Sequence, residues 1–253
     1  MKNYFVFLKK EFLEYTRTYR LLILLAVFAI FGITNALIAK MLPELLAQFI
    51  PDISSALQAP TAYDSWDQFF KNASQMGLIV IVLVFSGILT SEVSKGTLIN
   101  ILTKGLSRSA VILAKYTGMV LMWTASVLVC FGLTLVYTLY LFPGDETANL
   151  LFSVCCLWLF GVFLLSLLLL ASALMKHGYG VLLITGAIFA ALMMLNVVPA
   201  VQKFSPLMLI SANMPLVRGL MEISELWSVV GITAAISAVF VTGSVLIFQK
   251  KQL

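Results

Sequence analysis

The chain has 253 residues, 61% of them hydrophobic and only 11% charged, with a mean hydropathy of +1.05 and a net charge of +5. A water-soluble domain of that length cannot hide so much apolar surface, so the solvent must be lipid. The basic balance is a topology signal; a nucleic-acid footprint would need a basic patch on a soluble face, and no nucleic-acid partner is expected.

The first twenty residues are too polar to span a membrane. Phe5, Leu8, Phe12, Tyr15 and Tyr19 recur at helical spacing as one apolar stripe, while Lys9, Lys10, Glu14 and Arg17 occupy the rest. This predicts an amphipathic helix on the membrane surface; a simple topogenic anchor is the alternative. Nothing here reads as a cleaved signal peptide. Six apolar runs of spanning length follow, at roughly 21–40, 73–91, 109–142, 149–175, 178–200 and 227–248. Their Leu, Ile, Val and Ala content predicts helices, and none alternates as a membrane barrel strand does. The expected fold is therefore an all-α membrane protein of six transmembrane helices, one domain over 1–253: an interfacial helix over 1–20, a bundle over 21–248 and a tail over 249–253.

Six spans put both ends of the chain on one side. That side collects Lys2, Lys9, Lys10, Arg17, Arg20, Lys95, Lys104, Arg108, Lys115, Lys176, Lys250 and Lys251, twelve of the sixteen basic residues. Eight of the eleven acidic residues fall on the other side. The termini are expected to be cytoplasmic.

Between the first two spans, residues 41–72 form the largest outer loop. Pro43, Pro51 and Pro60 punctuate it, Leu45, Leu46, Phe49 and Ile50 suggest a short helix, and Tyr63, Trp66, Phe69 and Phe70 read as an interfacial aromatic belt. Asn72-Ala73-Ser74 matches a glycosylation sequon, a pattern short enough to arise by chance. After the second span comes a charged island, "SEVSKGTLINILTKGLSRSAVILAKY". Gly96 breaks the incoming helix, Leu98, Ile101 and Leu102 share one face of a short helix, Gly105 can end it, and Ser107 can cap the third span. An ordinary positive-inside loop is the competing reading. Farther on, residues 201–226 are moderately apolar but interrupted by Pro206 and Pro215; they either dip into the membrane from outside or lie on its surface.

Catalytic chemistry is missing from this pattern. His177 is the only histidine, and it sits in a turn. Cys130, Cys155 and Cys156 lie in apolar runs as free thiols, the eleven methionines are scattered, and no metal-ligand cluster or P-loop is present. No Asp or Glu falls within the six runs, which argues against an ion-coupled carrier. A bundle of this kind must take its energy from a partner.

Glu92, Lys95, Gly96, Thr97 and Leu98, then Thr103, Ser107, Arg108 and Lys115, resemble the signature of the type-2 ABC-transporter permease family. "LKKEFLEYTRTYR" resembles the family's connecting helix, here Lys9, Lys10, Glu11, Glu14, Arg17 and Arg20. One departure is Gly105, where many members have Pro. The resemblance implies that Glu92, Lys95, Gly96, Thr97, Leu98, Ile101, Leu102, Arg108 and Lys115 form or support a coupling helix, with Lys176 and His177 a second contact and Glu92 paired with Arg17 or Arg20. It further implies two cytoplasmic ATPase subunits carrying ATP and Mg, a second permease (identical or homologous), and no cofactor or metal in this chain. In the family the second and fifth spans line the pathway with the first nearby, which points to Thr34, Asn35, Ser86, Thr90, Thr185 and Asn196. The expected function is export of a hydrophobic or amphipathic compound (a peptide, drug or lipid-like molecule) across the cell membrane. Sodium efflux, or a membrane-embedded enzyme or its assembly factor, are the alternatives.

Overall fold

The computed structural model describes residues 2–49, 59–98, 103, 105–145 and 147–251. These form α1 (Lys2–Arg17), α2 (Arg20–Phe49), α3 (Ala62–Asn72), a π-helical turn (Ala73–Gly77), α4 (Leu78–Phe85) and α5 (Thr90–Ser94). Then follow α6 (Arg108–Leu141), α7 (Leu150–Leu174), α8 (Gly178–Leu195), the short α9 (Pro199–Gln202), α10 (Met208–Ser211) and α11 (Asn213–Val217), a 3₁₀ turn (Ile223–Leu226) and α12 (Trp227–Lys250). No strand occurs among the described residues. Among the described residues, six stretches are long and apolar enough to cross a membrane: Arg20–Pro43, Ala62–Ser94, Arg108–Leu141, Leu150–Leu174, Gly178–Leu195 and Ile223–Lys250. The expected all-α, six-span fold holds.

Helix α7 is the centre of the bundle. It is apolar all round, as a helix buried on every side must be, and packs against α6, α8, α12 and the short helices α10 and α11. Lipid is as apolar as leucine, so helices here associate through close fit and internal hydrogen bonds. Gly161 leaves the slot for the Trp123 ring; a Cβ at that position would lie 2.2 Å from the indole. Trp123 then donates Nε1–H to Trp158 O at 2.9 Å, and Trp158 returns a bond to Thr124 Oγ1 at 2.9 Å. Gly32 lets α2 approach α6, since a Cβ would sit 2.8 Å from Leu133 Cβ and 2.9 Å from Cys130 O.

The second span starts earlier than its apolar run. Asp64, Asp67 and Lys71 lie ahead of that run, yet the opposite face of α3 is buried: Trp66, Phe69 and Phe70 pack in the core, with Phe131 beside Trp66 and Phe69. These rings are core residues and do not form the expected interfacial belt. Asn72 lies within this span, and its side-chain nitrogen, the atom a glycan would need, donates to Asn35 Oδ1 at 2.7 Å. The π-helical turn follows at once, and Gly77 inside it makes room for Phe28. Toward its far end the span breaks over residues 86–89 before α5.

The structure also rotates the expected stripe of α1. Among its described side chains Phe7, Glu11 and Tyr15 are buried, whereas Phe5 and Phe12, and Tyr19 just beyond the helix, are exposed. Tyr19, at φ +60°, turns the corner into α2. Residues 199–226 cover the end of the bundle opposite α1: Leu209, Leu216 and Val217 are buried, and Ala148 N–H donates to Val217 O at 3.0 Å.

The glycine slot yields a first prediction. Gly161→Ala drives a methyl into the Trp123 ring and should cost about 1–3 kcal/mol, as overpacking does. Gly132→Ala, where nothing lies within 4 Å of the new methyl, should be neutral. Thermal unfolding of the purified protein in detergent checks both; equal midpoints would show that the two helices part without penalty.

Candidate functional site

At the α1 end of the bundle, three elements meet around charges that an apolar setting cannot leave single. Glu11 on α1 and Lys115 on α6 are each only 1% exposed at their side chains. Lys115 Nζ donates to Glu11 Oε1 and Oε2 at 3.1 and 3.0 Å and ion-pairs with Glu92 Oε2, from α5, at 2.9 Å. Lys10 donates to Glu92 Oε1 at 2.7 Å and Glu11 Oε1 at 3.0 Å, and pairs with Glu14 at 2.6 Å. The face of Phe7 covers the group, with the two ammonium nitrogens 5.1 and 5.9 Å from its ring centre. Tyr4 adds a bond from its hydroxyl to Thr117 Oγ1 at 2.8 Å, and the Tyr15 ring fits over Gly118.

Each charge needs the others. Burial alone would make Lys10 easier to deprotonate. Hydrogen bonds to Glu14 and Glu92, with the charge of Glu11, outweigh that and hold its pKa well above the ordinary lysine value. For the neighbouring phenol of Tyr15, burial and then the Glu11 charge both raise the pKa. Carboxylate oxygens of Glu11, Glu14 and Glu92 lie within 4.8 Å of one another, close enough to share a metal ion. The two lysine ammonium groups bond to those same oxygens and fill that place. The cluster is an ionic tie between α1 and the ends of spans two and three.

Those two spans flank the charged island. Helix α5 ends at Ser94, Gly96 turns the chain at φ +68° and Gly105 at φ +88°, both in the left-handed region that glycine tolerates best. Thr97 Oγ1 donates to Glu92 O at 3.2 Å, Leu98 is buried, and Lys95 is exposed. Ser107 caps α6 by accepting Ala110 N–H at 3.3 Å. Ile101 and Leu102 lie outside the described residues.

Of the residues singled out from the sequence, Glu92 meets the connecting helix, but through Lys10 and not Arg17 or Arg20. Lys115 is enclosed, so it acts within the chain. Arg108 turns to the end of α12. Lys9, Arg17 and Lys176 are exposed. His177 precedes α8, and Gly178 backs onto the break in span two, its missing Cβ 3.8 Å from Gly87 Cα and Ser86 O.

The pathway residues do not converge on one another. Thr34 and Ser86 bond to carbonyls of their own helices, Ile30 O at 2.8 Å and Leu83 O at 3.1 Å. Asn35 is buried, donating to Thr134 Oγ1 at 3.0 Å and accepting from Asn72. Thr90 is buried beside the ionic tie's span end. Thr185 Oγ1 and Asn196 Oδ1 are buried without a partner among the described residues. Glu11 as an inward-facing group was missed from the sequence. Its signal was Lys115, a lone charge inside an apolar run that had to find a carboxylate.

Compared with known proteins, the chain matches the description "ABC-2 family transporter protein" over residues 5–253. It belongs to that family, as the motif resemblance implied. It is thus a multi-pass membrane subunit of an ABC transporter, a transport component and not itself catalytic, and its family implies association with an ABC ATPase. Among curated proteins, none matches the chain.

Breaking the tie on one side should be costly. Lys115→Met leaves Glu11 and Glu92 with Lys10 as their one remaining cation in the cluster, an undercompensated buried charge that should destabilise by about 3–5 kcal/mol. The double variant Lys115→Met/Glu11→Leu removes a charge from each side and should recover part of that loss. Detergent thermal-unfolding midpoints measure it; a double variant no better than the single one would mean the pair is not coupled.

Proposed function

We propose that this chain is the membrane-spanning half of an ATP-driven exporter, moving a hydrophobic or amphipathic compound out of the cytoplasm across the cell membrane. A second permease, identical or homologous, pairs with it, and two separate ATPase subunits bind ATP and Mg. Both termini are cytoplasmic, and the 95–107 segment is the surface the ATPase pushes. The observation that carries this reading is the ionic tie: Glu92 and Lys115 stand on the two spans that enter and leave that segment, and both are bonded to α1. A push on the segment therefore reaches three helices together. Lys176 and His177, beside the broken end of span two, form the second contact in this reading.

Cargo follows from the chemistry of the spans. A bare ion must shed part of its hydration shell and needs clustered oxygen ligands in exchange. Here Thr34, Ser86 and Asn35 already spend their polar groups within the bundle, and the buried carboxylates are held by lysines. An amphipathic molecule needs apolar wall and a few hydrogen bonds, which Thr185 and Asn196 can offer.

Orientation has a direct test. In a variant lacking the native cysteines, Glu222→Cys should react with an impermeant thiol reagent in intact cells, whereas Lys95→Cys and Lys176→Cys should react only after permeabilisation. Reaction at Lys95→Cys in intact cells would reverse the assignment. For cargo, the permease–ATPase complex in lipid vesicles should hydrolyse ATP faster when membrane-active peptides or lipophilic drugs are added, and not with sodium or copper salts. Stimulation by an ion alone would overturn the proposal.

A further inference from the structure

The exit of the 95–107 segment is attached to more than the third span. Arg108, the first residue of α6, donates from Nη1 to Phe248 O at 3.1 Å, Gln249 O at 2.9 Å and Lys251 O at 2.6 Å. These carbonyls close the end of α12, where helical N–H partners run out, although Phe248 O also accepts the Lys251 N–H at 3.4 Å. Lys251 reaches onward: its Nζ donates to Ala173 O at 2.9 Å and Met175 O at 3.0 Å, at the end of α7. Gln249 Nε2 donates to Ser109 Oγ at 2.9 Å, closing the circuit back to α6. Both cations sit at the negative ends of helix dipoles, and bonds from a charged donor are stronger than neutral ones. Burial, and then the charge of Lys176, lowers the pKa of Lys251.

Elsewhere the last span meets α7 through rings, Phe152 against Trp227 and Phe163 against Phe240. Such apolar contacts carry little direction along the helix axes. The hydrogen bonds at the α1 end do.

We infer that Arg108 and Lys251 staple the ends of spans three, four and six into one body, so that movement entering through the 95–107 segment is delivered to the last span. Arg108 is a positioning residue in this scheme and touches neither nucleotide nor cargo. The inference rests on the coupling reading given above and extends it to a span that the segment does not adjoin in sequence.

The test uses the permease–ATPase complex in phosphatidylethanolamine–phosphatidylglycerol vesicles. ATP hydrolysis is measured beside the ATP-dependent change in labelling rate of a single cysteine, Ser224→Cys, at the opposite end of the last span. Arg108→Ala should retain hydrolysis while the ATP-dependent labelling change falls about tenfold. Arg108→Lys, which keeps the charge on a shorter side chain, should fall between. Oxidising the pair Ser109→Cys/Gln249→Cys in the Arg108→Ala background should restore the change, and reduction should abolish it again. A merely structural role predicts lower yield and hydrolysis with the change per ATP intact, and that result overturns the staple. If Arg108→Ala does not accumulate, the same disulfide comparison in Arg108→Lys decides; no gain on oxidation refutes the inference. Gly96→Leu separates the two claims, since it strains the turn at the segment itself. A normal labelling change in Gly96→Leu defeats the coupling reading. Loss there with none in Arg108→Ala defeats only the staple.

Discussion

A lysine ammonium buried in a lipid-solvated bundle must be neutralised by carboxylates, and this constraint organises the α1 end of the molecule. Lys115 can be satisfied only if α1 lies against α6 with Glu11 turned inward and if span two ends where Glu92 can reach. The apolar stripe of α1 yields to that demand, leaving Phe5 and Phe12 outside while an acid goes in. Buried ion pairs contribute little net stability, but an arrangement that separates them leaves an uncompensated charge in the interior. Here the pairs set the register of three helices.

The two ends of spans that carry charge are thus treated differently. One set, around Lys115, joins side chain to side chain and ties α1 to the bundle. The other, around Arg108, joins side chain to backbone and ties helix ends to one another. Between them runs a segment bracketed by two left-handed glycines, Gly96 and Gly105. Each glycine turns the chain where the segment leaves one span or meets the next, and both of those spans are held by charge.

How much of this was legible depended on whether the determinant was composition or partnership. Six apolar runs sufficed for the six spans, because helix length in lipid is set by bilayer thickness. The Ser107 cap and the Gly96 break were readable because each is a local backbone requirement. The start of span two was not: Asp67 and Lys71 pair along one face and hide the fact that Trp66 and Phe69 are buried on the other. Nor was the partner of Glu92, since choosing among Lys10, Arg17 and Arg20 needs the rotation of α1, which Glu11 and Lys115 fix from a distance. Arg108 could be seen as important, but its acceptors are backbone carbonyls, and these leave no mark in a sequence.

The ionic tie also has a history within each molecule's synthesis. Glu11 and Lys115 are separated by 104 positions, and Lys10 and Glu92 by 82. At roughly 5–20 residues per second, Glu11 waits about 5–20 s after it is made before its lysine exists. During that interval α1 could dock only by burying Glu11 with its half-exposed neighbour Lys10 as sole partner, which favours the wetted surface. Spans one and two are therefore inserted beside a helix that has not yet taken its place, and the arrival of the third span is what draws it in. A nascent chain halted between those events would display the face of α1 that carries Phe7, Glu11 and Tyr15, which the finished protein hides.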